Sequence, residues 1–184
     1  MKASEADILI VPGRGGAAPG DWYSRWAEKL STARLIDGLD WMNPDRHAWV
    51  ERIVAETRLA SRPVVLVAHG LGVAAAVHAA QEMTEGVAGG FFVTPPDLSG
   101  DMTLAPEIAA FGPYPRAPLI FPSITVASRN DPFGSYEHAE DVASAWGSLT
   151  VDAGESGAID AASGHGPWPE GSMVFARFLA RLET

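Results

Sequence analysis

The chain has 184 residues, 47% of them apolar and 20% charged, with a formal net charge of −10 and no cysteine. That size and composition describe one globular domain, 1–184, with a substantial core and no disordered tract. The acidic balance argues against nucleic acid and anionic membrane surfaces as partners. The lack of thiols excludes disulfides, a cysteine nucleophile and cysteine-held metals. No apolar run approaches the ~18 residues of a membrane span, and the polar start carries no leader pattern, so the cytoplasm is the expected compartment.

Residues 8–11 are wholly apolar and end in Pro12-Gly13, the pattern of a buried parallel strand. A small-residue loop covers 12–20. Trp22, Trp26 and Leu30 recur at four-residue spacing and predict an amphipathic helix over 21–30, with Asp21 as its N-cap and Pro19 preventing an earlier start. A short strand at 33–36 closes in the turn Asp37-Gly38. A helix is predicted over 44–60, capped by Asn43 with Pro44 at its first position and striped by Trp49, Ile53 and Val54.

Residues 64–67 form the most apolar strand, and an alanine-rich helix follows over 71–83. Strand 88–93 ends at T-P-P-D. The proline-rich stretch 95–122 reads as loop with one helical turn near 104–111, and a loop that long in a compact domain commonly serves a site. Strand 123–127, helix 135–146 and strand 149–151 come next, then a glycine- and serine-rich loop over 153–171 and a closing helix over 172–182. Strands and helices alternate throughout. The fold class is α/β, a mainly parallel sheet with helices layered on both faces.

Sheets of this kind bind ligands at the carboxyl ends of their strands. Two glycine-rich turns fall there. The first, Gly13, Gly15 and Ala18 with Asp37 on the next strand, fits a dinucleotide fingerprint, but Pro19 and Gly20 stand where the phosphate-binding helix should already run. The second is P-V-V-L-V-A-H-G-L-G-V over 63–73, a strand, sharp turn and helix with the layout of a nucleophile elbow, G-x-S-x-G. Gly70 holds the serine position. Asp131 follows strand 123–127 in S-R-N-D-P, where such enzymes place the triad acid, and the loop after the last strand is where they place the base.

Other chemistry-bearing residues have two readings each. His69 either points under the turn to bond the scaffold or borders the cleft, and His165 either orders its loop or joins the site. Trp168, in a proline-rich loop, is the candidate site wall, while Trp22, Trp26 and Trp49 read as core. His47, His78 and His138 sit among helix residues and read as solvated. Ser99, Ser128 and Ser163 have no base at a recognisable spacing. A metal site from His69, His165 and Asp131 would lack any paired-histidine helix motif.

Taken together, V-P-G-x-G-G near the start, D-W-x-x-P from Asp40 to Pro44, V-V-L-V-A-H-x-L-G, T-P-P-D, F-P-S-x-x-V-A-S-x-N-D-P and S-G-H-G-P-W-P-E-G resemble a family over nearly the whole chain. It is the family of small single-domain serine hydrolases that includes retinoblastoma-binding protein 9 and its bacterial relatives. The resemblance implies an α/β-hydrolase fold and a Ser/Asp/His triad acting on a small ester or amide, with no cofactor. Asp131 matches the acid. The nucleophile position is Gly70, and the family's G-H-I/F falls on Gly157-Ala158-Ile159, so Ala158 stands at the base position. Asp21 stands where related sequences often have histidine before tryptophan.

The two missing triad members are those that make bonds and move protons. The backbone N–H groups of Leu71 and Arg14 remain as an oxyanion hole, with Gly13, His69, His165 and Trp168 around the cleft. The expectation is a serine esterase or amidase by lineage whose copy here is inactive, an engineered variant. The alternative is a natural pseudohydrolase that binds a small acid, an ester or a protein partner in the old cleft, and the weaker alternative a dinucleotide-binding protein. No oligomeric state is implied.

Overall fold

The computed structural model describes residues 1–100 and 103–183. Its centre is a six-stranded sheet in the order β2-β1-β3-β4-β5-β6, every neighbouring pair parallel. The strands are β1 (Asp7–Val11), β2 (Ala33–Leu35), β3 (Val64–His69), β4 (Val87–Val93), β5 (Ser123–Ala127) and β6 (Leu149–Asp152). The helices are α1 (Trp22–Lys29), α2 (Arg46–Leu59), α3 (Leu71–Ala80), the single turn α4 (Pro106–Ala109), α5 (Tyr136–Trp146) and α6 (Pro169–Arg181). A short 3₁₀ turn, Ala3–Glu5, precedes β1.

Side chains alternate across each strand, and the two faces collect separate cores. Leu9, Val11, Val64, Leu66, Ala68 and Phe92 pack with Trp49 and Ile53 of α2, Val73 and Val77 of α3, and Val142 and Trp146 of α5. Ile8, Ile10, Val65, Val67, Phe91 and Val93 pack with Trp22 and Trp26 of α1 and Phe175 and Phe178 of α6. Strands β1, β3 and β5 are buried on both faces; β1 and β3 accordingly read as near-continuous apolar runs, while β5 buries Ser123 and Thr125 among its apolar residues.

Several boundaries moved from where the sequence put them. Asp45, not Asn43, caps α2, accepting the Ala48 N–H at 2.9 Å. Asn43 is held instead by Asp40, which accepts the Met42 and Asn43 N–H groups and the Asn43 amide. Helix α3 ends at Ala80 rather than 83. Helix α6 starts at Pro169, earlier than 172, because proline's fixed φ suits a first helical position. Asp21 does occupy the N-cap position of α1 but makes no capping bond, since its carboxylate is engaged elsewhere. Among the described residues no helix is long and apolar enough to cross a membrane.

Candidate active site

The turn from β3 into α3 is built around Gly70, at φ 57° and ψ −129°. A side chain in that conformation costs ~1–3 kcal/mol, and glycine adopts it without a Cβ clash. The turn is held by Gly70 N–H donating to Val93 O at 3.0 Å and Val73 N–H donating to Gly70 O at 2.9 Å. A Cβ added at Gly70 would meet no heavy atom within 4 Å, so the tip of the turn faces open space. Gly72 is required for the opposite reason. A Cβ there would lie 2.5 Å from Pro12 O and strike the Val11 carbonyl as well, so α3 sits directly against the end of β1.

The loop after β1 lies over this turn. A Cβ on Gly13 would be 3.2 Å from His69 O and 3.5 Å from Leu71 N. Leu71 is the first residue of α3, so its N–H has no intrahelical acceptor and belongs to the positive end of the helix. Arg14 follows Gly13 directly, and its exposed guanidinium stands 3.8 Å from Glu107 of α4. That contact ties α4, in the proline-rich segment, to the loop after β1. The same segment meets the acid loop, where Asp97 N–H donates to Phe133 O at 2.8 Å.

The loops after β5 and β6 are joined to one another and to the elbow. Asn130 Oδ1 accepts Gly157 N–H at 2.7 Å and Ser128 Oγ–H at 3.1 Å, and Ser128 Oγ accepts Ser156 N–H at 3.0 Å. The Ala158 carbonyl accepts His69 Nε2–H at 2.7 Å and Thr94 Oγ1–H at 3.3 Å. The next carbonyl, that of Ile159, accepts Trp22 Nε1–H at 2.9 Å. Ala161 N–H donates to Asp21 Oδ1 at 2.9 Å. Gly70, Asp131 and Ala158 thus lie on adjoining turns at one end of the sheet, with Asn130 beside Asp131 and His69 beside Gly70 as the links.

These bonds hold an unfavourable backbone. Ile159, β-branched and fully buried, has φ 50°, a conformation L residues avoid. Burying its side chain is worth about 1.5–3 kcal/mol, of the same order as the strain. Thr94, also at φ 50°, directly follows β4 with its N–H on Val126 O at 2.9 Å.

Electrostatics sharpen the site. Burial pushes the Asp131 carboxyl up to about 6; the Phe133 N–H, bonded to Oδ1 at 3.0 Å, opposes this and the nearby Asp160 carboxylate adds to it. Burial lowers the His69 pKa, so the ring is neutral, and its carbonyl partner places the proton on Nε2. Asp21 is buried and fully engaged, since Oδ2 also accepts Ala18 N–H at 3.0 Å and Tyr23 Oη–H at 2.9 Å. Burial and the Asp21 carboxylate hold the Tyr23 phenol well above its ordinary range.

Two residues expected at the cleft lie elsewhere. Trp168 is buried in the α1/α6 core, 4.9 Å from the Trp22 ring and stacked on Trp26. Its indole lies where a Cβ on Gly171 would be, which gives the W-P-E-G run its purpose: Pro169 opens the helix and Gly171 admits the ring. His165 pairs its Nδ1 with Ser163 Oγ at 3.2 Å. His165 and Trp168 border a cavity of about 320 Å³ with Val126, Val151, Ser156 and Glu170, whose lining includes none of Gly13, Gly70, Leu71 or Asp131.

Of the remaining histidines, His47 is exposed as expected, while His78 Nε2–H donates to Phe111 O at 2.6 Å and His138 Nε2–H to Pro96 O at 3.1 Å, both half-buried rather than solvated. Among the described residues no three metal-ligating side chains converge, and His69 and His165 serve different partners. The first glycine loop departs from a dinucleotide cradle. Helix α1 begins only at Trp22, past Pro19 and Gly20, and Asp37 pairs with Arg52 at 2.9 Å. Thr94 and Asn130 are site residues given no role from the sequence, where the T-P-P-D and N-D-P runs carried the only signal; Asp21 stood out only as a helix cap and as a departure from the family pattern.

Comparison with known proteins agrees with this geometry. The family model described as serine hydrolase matches residues 8–177. A protein of Pectobacterium atrosepticum described as a YdeN-like hydrolase is 34% identical, covers 96% of this chain and 91% of its own, and superposes with a TM-score of 0.85. The ydeN gene product of B. subtilis, 14% identical, covers 96% of this chain and 100% of its own at 0.77. A Xanthomonas campestris protein assigned to the α/β hydrolase superfamily, 16% identical, covers 98% and 99% at 0.67. Among curated proteins none matches. With its parallel sheet, its elbow at Gly70 and a family match over nearly its full length, the chain belongs to the serine hydrolase family, on an α/β-hydrolase fold.

Proposed function

We propose that this chain is a pseudohydrolase: it descends from a serine esterase or amidase and binds a small ester, amide or acid in the inherited cleft without cleaving it. The observation that carries this is the composition of the three adjoining turns, where Asp131 persists but Gly70 and Ala158 supply neither a nucleophile nor a base. Losing these groups removes roughly 10⁶-fold of rate, leaving ~10³–10⁴ over water from binding and the oxyanion hole. The N–H of Leu71 and the Gly13–Arg14 loop supply donors for a ligand's carbonyl oxygen.

A natural origin is favoured over an engineered one by Asp21. It is a third departure from the family pattern, and its carboxylate accepts Ala18 N–H, Tyr23 Oη–H and Ala161 N–H, the last on the loop that carries Ala158. Inactivating two triad positions in the laboratory would not call for a third change integrated this fully.

Hydrolysis of p-nitrophenyl butyrate tests the reading. Per bound substrate the unaltered chain should exceed the uncatalysed rate by no more than ~10³–10⁴, and Gly70→Ser/Ala158→His should exceed the unaltered chain by several further orders of magnitude. Turnover by the unaltered chain equal to that of the double variant would overturn it.

A further inference from the structure

Two side-chain donors from neighbouring strand ends meet on one acceptor. His69 Nε2 lies 2.7 Å and Thr94 Oγ1 3.3 Å from the carbonyl oxygen of Ala158, 89 and 64 residues away along the chain. We propose that His69 and Thr94 are the positioning pair for residue 158, fixing its peptide so that a side chain there is aimed at the elbow and at Asp131. The proposal rests on the reading of 158 as the base position.

The backbone around this carbonyl shows why it needs holding. Gly157 has φ 59° and Ile159 φ 50°, so residue 158 lies between two left-handed residues. Glycine accepts that conformation; isoleucine does not. Released, Ile159 would relax toward its ordinary region, rotating the 158–159 peptide plane and swinging the Cα of 158. Three donors oppose this rotation, His69 and Thr94 on the Ala158 oxygen and Trp22 Nε1 on the Ile159 oxygen.

His69 has a further advantage. It is the last residue of β3 and immediately precedes Gly70, so one strand end sets both the elbow tip and the base loop. The separation between the two is then independent of the rest of the 153–168 loop. The ring itself is held, with Trp22 edge-on at 6.1 Å and Tyr23 tilted against it at 5.2 Å between ring centres. Thr94 adopts φ 50° at the end of β4, the conformation in which its hydroxyl reaches the same oxygen. Both residues act through residue 158 and neither supplies a reacting group.

The test introduces Ala158→His into the otherwise unaltered full-length chain and follows the new imidazole by NMR titration. With His69 present, pairing with Asp131 should raise its midpoint above the ordinary ~6.5. Adding His69→Leu should return it to the ordinary value, whereas His69→Gln, whose amide N–H reaches nearly the same point, should keep it raised. Thr94→Val, which removes one donor without changing shape, should lower it partway, and this variant decides the matter if His69→Leu does not fold. In the Gly70→Ser/Ala158→His background, His69→Leu should lower kcat by up to ~10²-fold with KM little changed, and His69→Gln should recover most of it.

A midpoint as high in folded His69→Leu as with His69 present, or undiminished in Thr94→Val when His69→Leu does not fold, would overturn the positioning role alone. An ordinary midpoint with His69 intact would overturn the assignment of position 158, and this proposal with it.

Discussion

Asp131→Asn isolates the cost of the half-buried carboxylate beside the Gly70 and Ala158 turns. In the folded chain burial holds this carboxyl near 6, against an ordinary 3.8. Below pH 3.8 folded and unfolded chains both carry the proton. Between 3.8 and 6 the folded state retains a proton that the unfolded state has released, so stability falls as pH rises. Above 6 the folded state bears the whole cost of a half-buried charge. Taken at full strength that cost is about 3 kcal/mol; partial exposure and solvent screening reduce it to ~1–2 kcal/mol. Asparagine preserves the shape and the oxygen that accepts Phe133 N–H, and it removes only the charge. Urea unfolding followed by tryptophan fluorescence should show Asp131→Asn more stable than the parent by ~1–2 kcal/mol at pH 8, a midpoint shift of roughly 0.5–1 M. The difference should shrink through pH 6–4 and vanish below about 4. A variant less stable than the parent at pH 8, or a gain independent of pH, would refute the reasoning.

Three further substitutions probe the frame. Gly70→Ser alone should cost ~1–3 kcal/mol in chemical denaturation through its positive φ, with no packing penalty because the space above it is open. Gly72→Ala forces a Cβ against the Val11 and Pro12 carbonyls and should destabilise by roughly 3 kcal/mol or more, read as loss of soluble protein or a sharply lowered Tm. Asp21→Ala leaves the buried Tyr23 hydroxyl and the part-buried Ala18 and Ala161 N–H groups without their acceptor and should cost ~1–3 kcal/mol, with Tyr23→Phe costing only ~1 kcal/mol by the same measurement.

Much of this architecture was legible because the signals were local. The apolar runs of β1 and β3 mark strands buried on both faces, and Gly70 and Gly72 mark a turn where backbone conformation and close approach both demand glycine. The misread features depend on contacts distant in sequence. Asp21 looked like a helix cap, but its oxygens are drawn to Ala18, Tyr23 and to Ala161 far along the chain. Asn43 looked like the cap of α2 until Asp40 claimed it. Trp168 looked like a cleft wall because its loop is rich in proline, yet Pro169 begins a helix that folds the indole onto Gly171 and into the core. Thr94 opens the T-P-P-D run, but nothing in that run assigns its hydroxyl a partner; the left-handed turn at the end of β4 brings it to Ala158.

The central claim is that a hydrolase frame persists here with its nucleophile and base positions silent. Intact-mass measurement after exposure to a fluorophosphonate probe tests it most directly. The unaltered chain should show no adduct, while Gly70→Ser/Ala158→His should gain one probe mass, mapped by peptide sequencing to position 70. An adduct on the unaltered chain, or none on the folded double variant, would contradict the account.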